Sequence, residues 1–442
     1  MKNLSQVLIR NATIDGERYY REHMAALSAS MDMRSNSDIY ADDGSRLLSE
    51  GALVSPKFFK RLNGSKLLKP LDESLVIEGA TSLQDILKDM GSLLKEDKIF
   101  SHIGKVADEF NDHSADLGKV QLPAQLMPEL TVLKVQLPGL YQHTLRVMLM
   151  GLYISNELGL DTDSRNSLLL AALFHDIGEL YIDPKIINSD SKLSADERTQ
   201  IYAHPVIAYM ILKEVGLFKA DIARAVLEHH ERLDGSGYPR GIKGEDISTL
   251  ASMIGMAEFC VGVCQKHPGE EALSHLRIMM AIQKDRFPPE LIGTISRFTG
   301  EIDLPQNKEN DEVSKDFVLG SLFTINMVLD DWQEMNRQLG EGLLSNPERR
   351  LIEMMDKRLL ALHQAFTRIG FQSNAMSEFV EMLMADADSL KEVAIIMREI
   401  QFQLKSLMLE VRRHWPDDKF EESPYNYLDV CLGHVGSTFF SR

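Results

Sequence analysis

From about Leu130 to Phe298, apolar residues recur at intervals of three and four almost without a break, the spacing that lays one stripe along a helix. Leu145, Met148, Leu149, Leu152 and Tyr153 form one such stripe. Leu168–Phe174 is apolar at every position, which predicts a helical segment buried on all sides. The one long interruption is the loop Asp234–Ser248, which carries Gly235, Gly237, Pro239, Gly241 and Gly244. Glycines at that density beside a histidine pair imply close approach of backbone to something.

The flanks read differently. Asp38–Tyr40 and Arg46–Val54 are predicted strands on either side of the turn Asp42-Asp43-Gly44. Ser55 and Pro56 open a helix that Asn63-Gly64 ends, and Leu75–Ile77 adds a strand. Ser82, with Asp85 three residues on, is a capping box opening a helix through about Glu96. Residues 1–100 are therefore expected to form a small α+β domain. Residues 300–312 are polar and acidic, the composition of a linker. Beyond them, Phe317–Leu339, Pro347–Ile369 and Met376–His414 are amphipathic. Met354, Met355, Met382 and Met384 are expected in the core of a C-terminal helical bundle spanning 313–442. The expected fold class is mainly α, with a central helical domain over 130–305.

The 442 residues carry a formal charge of −18, which argues against non-specific grip on DNA or anionic lipid. With no secretory leader and three cysteines (Cys260, Cys264, Cys431), a reducing cytoplasm is the expected home. Cys260 and Cys264 are expected to be packing residues. No apolar run approaches the roughly 18 residues of a membrane span.

The chemistry concentrates in the middle third, at His143, His175-Asp176, His204, His229-His230 and Glu258. The histidine pair alone says little, because neighbours on a helix point about 100° apart. The set says more. Asp176 follows the apolar run Leu168–Phe174, and burying a bare carboxylate there costs several kcal/mol unless it meets a cation. Imidazoles and carboxylates together suit Zn, Fe or Mn, and the set exceeds what one ion of four to six ligands can use. Two ions sharing a carboxylate would use it fully, an arrangement suited to phosphoester cleavage.

FHDIGE at 174–179, AHP at 203–205 and HHERLDGSGYPRGIKGEDIS at 229–248 resemble the HD-GYP family, a branch of the HD-domain metal phosphohydrolases. The resemblance runs from about Gln142 to RFPPELIGTISRF at 286–298, and DIYADDGSRLLSEGALVSPKFFKRL resembles the small segment that precedes such domains. It implies a helical HD-domain core that hydrolyses cyclic di-GMP through pGpG towards GMP. It also implies two divalent ions, iron or manganese before zinc, magnesium or nickel. His143, His175, Asp176 and Glu258 would hold one ion; His204, His229 and His230, with Asp176 bridging, the other. Asp176 and His175 would be catalytic, with water attacking phosphorus in line. Glu179, Gly237, Tyr238, Pro239 and Arg240 would face the substrate, and the Gly-Tyr-Pro loop could instead dock a diguanylate cyclase or other signalling protein. A homodimer is a further expectation.

The departures from the family are specific. Its usual HDxGK lysine is Glu179 here, which swaps a cation for an anion beside a substrate phosphate. At an effective dielectric of 20 and about 4 Å, each such charge interaction is about 4 kcal/mol before screening. Glu258 stands where the family has Asp. His267 and Glu270 stand where arginines would fork onto phosphate. Gly139 replaces the glutamate that recruits a third ion in some members, so two ions are expected. The metal shell is nearly complete while the substrate shell is altered. The alternative reading is a catalytically weak signalling or scaffold protein that keeps its metals.

Overall fold

The computed structural model describes residues 16–62, 67–101, 110, 113–187, 194–267, 269–301 and 315–338, with scattered positions between 352 and 407. Two compact units result: Met1–Gly269 with Asp285–Ile302, and Glu270–Lys284 with Asp303–Arg442. The described residues are mainly helical.

The first unit opens with helix α1 (Gly16–Leu27) and two small antiparallel sheets. Strand β1 (Met33–Ser35) pairs with β4 (Leu75–Ile77), and β2 (Ile39–Tyr40) with β3 (Arg46–Leu48). The turn between β2 and β3 forms as expected, with Ser45 donating its N–H to Asp43 Oδ1 at 2.8 Å and Gly44 at φ 81°. The strand expected over Arg46–Val54 stops at Leu48; beyond it only Leu53 makes an isolated bridge, to Arg34. Helix α2 (Pro56–Arg61) begins where Ser55-Pro56 predicts, although the Ser55 side chain makes no capping bond and the proline's fixed φ is what starts the turn. Asn63-Gly64 lies outside the described residues. Helix α3 (Leu83–Glu96) has both bonds of its capping box, between Ser82 and Asp85, and the short α4 (Lys98–Ser101) follows.

The helical core of this unit comprises α5 (Met127–Gln136), α6 (Pro138–Glu157), α7 (Thr162–Phe174), α10 (His204–Val215), α11 (Ala220–Glu228), α12 (Thr249–Lys266) and α14 (Pro289–Glu301). Two short helices, α8 (Pro184–Ile187) and α9 (Ala195–Ile201), precede α10. Asp161 caps α7 by accepting the Ser164 N–H at 2.7 Å, and Ser248 caps α12 from Ala251 at 3.1 Å. Leu168–Phe174 is 0–6% exposed, so α7 is the central rod against which α6, α11 and α12 pack. Cys260 is buried and Cys264 half-buried, as packing residues; Cys431 lies outside the described residues. The α14 helix closes onto α6 through Tyr153 and Phe298, whose ring centroids are 5.1 Å apart.

The second unit contains α13 (Glu270–Ile282) and α15 (Lys315–Gln338), the latter where the Phe317–Leu339 pattern predicts a helix. Buried Ser321 accepts from Gln401 Nε2 at 2.9 Å, and Trp332 Nε1 donates to Asp356 Oδ1 at 2.9 Å. Met355 is fully buried. Met354, Met382, Met384 and most of Pro347–Ile369 and Met376–His414 lie outside the described residues. Among the described residues, no helix is long and apolar enough to cross a membrane.

Candidate metal centre

The site is assembled from helix ends around one carboxylate. His175 terminates α7, Asp176 follows it, His204 opens α10 and His229 terminates α11. His143 lies within α6 and Glu258 within α12. Helix α11 stops at Glu228, so His229 and His230 are not the helical neighbours pointing apart that the sequence suggests. They sit in the turn beyond, ring centroids 4.1 Å apart, both facing the same centre.

Asp176 is 6% exposed and its two oxygens face different groups. Oδ1 lies 3.2 Å from His204 Nε2 and 3.7 Å from His229 Nε2. Oδ2 lies 3.0 Å from His175 Nε2 and 3.8 Å from His143 Nε2. His204 Nε2 is also 3.1 Å from His230 Nε2 and 3.3 Å from His229 Nε2. The arrangement yields two clusters with metal-ligating atoms close together, Asp176–His204–His229–His230 and His143–His175–Asp176. Glu258 belongs to neither. Its Oε2 faces His230 Nδ1 at 3.5 Å.

The ring protons are assigned by what surrounds them. His175, His204 and His229 each place Nδ1 against the carbonyl three residues earlier, Ala172, Ile201 and Val226, at 2.7, 2.7 and 2.6 Å. A carbonyl only accepts, so Nδ1 carries a proton and Nε2 is the ring nitrogen turned to the centre. Burial, reinforced by the neighbouring imidazoles, pushes His229 down to about 4 and His230 well down, so these two are neutral at pH 7. Burial would lower His175 too, but the Asp176 carboxylate outweighs it and raises His175 to about 9. Asp176 is itself held well below the carboxylate range: burial opposes this, and His175 overcomes it.

Even so, Asp176 Oδ1, His175 Nε2 and Glu258 Oε2 are buried without an aligned hydrogen bond among the described residues. Native interiors rarely tolerate such atoms. Two nitrogens about 2.05 Å from one tetrahedral ion would lie about 3.3 Å apart, close to the spacing seen here. The residues present therefore fit divalent cations. Burial, then the Asp176 charge, raises both Glu179 and Glu258 to about 7.

The Gly-Tyr-Pro loop folds over one side. Tyr238 stacks on His230 with centroids 4.3 Å apart and on Tyr202 at 4.2 Å, and its peptide bond to Pro239 is cis. Arg240, expected at the substrate, is engaged elsewhere: its guanidinium pairs with Glu228 and its N–H donates to Glu231 Oε1 at 2.8 Å. Sequence reasoning missed both glutamates. Glu228 is 1% exposed and also accepts from Ser248 N at 2.8 Å; Glu231 is 3% exposed and also accepts from Ile242 N at 3.1 Å. Two buried carboxylates thus hold the loop at its middle and at its Ser248 end, and the signal for them was their place beside the histidine pair. Arg232 donates to His229 O and Glu231 O at 2.8 Å and lies over the Phe287 ring.

Three glycines let this centre close. A Cβ on Gly178 would run into the carbonyl of His204, one on Gly255 into that of His229, and one on Gly237 into His230 O and Glu231 Cα. Only Gly237 was singled out from sequence. The other two meet partners 26 residues away in each case, so no local pattern marks them.

Residues 125–291 match the HD domain family. The chain is 27% identical over 213 residues to the 3′3′-cGAMP-specific phosphodiesterase 1 of Vibrio cholerae serotype O1, covering 46% of this chain and 49% of that protein. It is 34% identical to the 3′3′-cGAMP-specific phosphodiesterase 3 of the same organism, over 30% of this chain and 28% of that one. It is 35% identical to a cyclic di-GMP phosphodiesterase of Borreliella burgdorferi, over 26% of this chain and 30% of the relative. The chain thus spans half or less of the length of these relatives. Residues 125–291 are thus similar to the HD domain family, and the motifs at 174–179 and 229–248 within them resemble the HD-GYP signature.

Proposed function

We propose that this protein is a metal-dependent phosphodiesterase that hydrolyses a cyclic dinucleotide, cyclic di-GMP or 3′3′-cGAMP. One observation carries the reading: four imidazole Nε2 atoms converge at 3.0–3.8 Å on one buried carboxylate, whose Oδ1 has no aligned hydrogen bond. His143, His175 and Asp176 would hold one divalent ion; Asp176, His204, His229 and His230 would hold a second, with Glu258 beside it. Asp176 bridges on this reading because each of its oxygens faces one cluster. Bound ions would supply Lewis acidity to a phosphodiester and its attacking water. The ions are iron or manganese on this reading, and the protein works in the cytoplasm, where these second messengers are made. The names of the relatives support the substrate class.

The chain's own residues orient and enclose. The three carbonyls behind His175, His204 and His229 turn Nε2 of each ring to the centre, and a ligand held in one orientation costs less to organise. The loop clamped by Glu228 and Glu231 sets Gly237, Tyr238 and Pro239 at the edge of the centre. Two positions expected to meet phosphate supply no free cation: Glu179 is acidic and Arg240 is paired with Glu228. That pairing favours a second reading, a metal-bearing scaffold with weak turnover whose loop contacts a diguanylate cyclase or a second copy. Segments 1–100, 130–305 and 313–442 would then be a small N-terminal domain, the metal-bearing domain and a C-terminal helical region.

Reconstitution of the full chain with Mn(II) or Fe(II) separates the two. The hydrolase reading predicts linear product from cyclic di-GMP or 3′3′-cGAMP, abolished by His175→Ala or Asp176→Ala. A folded, metal-loaded protein that turns over neither nucleotide overturns it in favour of the scaffold.

A further inference from the structure

His143 is oriented differently from its neighbours. His175, His204 and His229 are pinned by main-chain carbonyls, bonds that helix geometry supplies whatever the surrounding side chains. His143 Nδ1 instead meets a side chain, Gln265 Oε1, at 3.0 Å. Its own side chain is 17% exposed, against 0% for His175 and His229 and 2% for His204.

We propose that Gln265 is the positioning residue that gives His143 its ligating tautomer, so that the His143–His175–Asp176 cluster is the weaker of the two and is tuned separately. The inference rests on the metal reading above. A neutral imidazole has one ring proton. On Nδ1, donated to Gln265 Oε1, it leaves the Nε2 lone pair facing Asp176 Oδ2 across 3.8 Å. On Nε2, the proton would point at the Asp176 carboxylate and block ligation. The carboxylate favours that second tautomer by simple charge attraction, and the amide oxygen of Gln265 opposes it. Gln265 lies seven residues after Glu258, two turns along one face of α12. One helix therefore offers Glu258 to His230 and Gln265 to His143, a group to each side of the centre.

The test is Mn(II) titration of the metal-stripped full chain, followed by calorimetry and by the spin-resonance signal of free Mn(II). Gln265→Met keeps the length and removes the acceptor; it is expected to weaken one class of site about 10–100-fold and leave the other within about twofold. Gln265→Glu keeps an acceptor and retains both classes. His143→Ala removes the same class, and adding Gln265→Met to it costs nothing further, as expected for one shared interaction. Unchanged affinities in Gln265→Met, or equal weakening of both classes, overturn the proposal. A folded wild-type chain that takes up no Mn(II) overturns the metal reading itself, a result distinct from normal loading in wild type and variant alike.

Discussion

A methyl group on Gly178 has nowhere to go: it would meet the carbonyl of His204, with the Ala208 amide nitrogen 3.0 Å away. Both neighbours are main chain, so they yield only if α10 moves, and α10 begins with His204 itself. Gly178→Ala is therefore expected to shift His204 away from Asp176. Overpacking of this kind costs about 1–3 kcal/mol. Urea denaturation should show that loss in the metal-free chain, and Mn(II) titration a matching loss of affinity. Wild-type affinity in the variant would show that His204 does not depend on this close packing. At this scale the sequence yields residue types better than partners. His143, His175, Asp176, His204, His229 and His230 are legible because metal chemistry restricts ligands to few side chains. Gly178, Gly255, Glu228 and Gln265 are not, because what makes each one matter lies on another element.

Between elements, α1 packs on the 3-10 turn Ile177–Tyr181 that follows the His-Asp dipeptide, with Tyr20 stacked on Tyr181 at 4.9 Å. The Tyr20 hydroxyl donates to Asp72 Oδ1 at 2.6 Å, and Glu129 is buried beside this pair. Burial, with Glu214 and Glu73 adding negative charge and Tyr20 opposing, raises Asp72 to about 7. The folded chain then keeps a proton that the unfolded chain releases from about pH 4 upwards, so Asp72 draws stability down as pH rises towards 7. Thermal melts between pH 5 and 8 should show a shallower decline for Asp72→Asn than for wild type. Parallel declines would mean that Asp72 titrates normally. The elements themselves were legible where their cause is local. The Ser82–Asp85 box marks the start of α3, and Asp43-Gly44 marks the hairpin turn. The strand over Arg46–Val54 was overread because alternation alone cannot say where a partner strand ends; β2 offers only Ile39 and Tyr40. The break after Glu228 was invisible too, since residues 227–233 hold no glycine or proline to mark a helix end before Asp234-Gly235.

At the scale of the whole molecule, a chain of charge −18 gathers five of its thirteen histidines at one centre. Two divalent ions would bring four positive charges to a site where Asp176, Glu179 and Glu258 bring up to three negative ones. An anionic substrate would therefore be drawn by the ions and not by the protein surface around them. Hydrolysis at this centre depends on the ions being there and on Asp176 being shared between them. Metal uptake per chain, measured for the folded wild type and for Asp176→Asn under the same Mn(II) titration, tests this most directly. Two bound ions in the wild type, with both classes of site weakened together in the variant, is the predicted result. No uptake by the folded wild type, or unchanged uptake by Asp176→Asn, would contradict it.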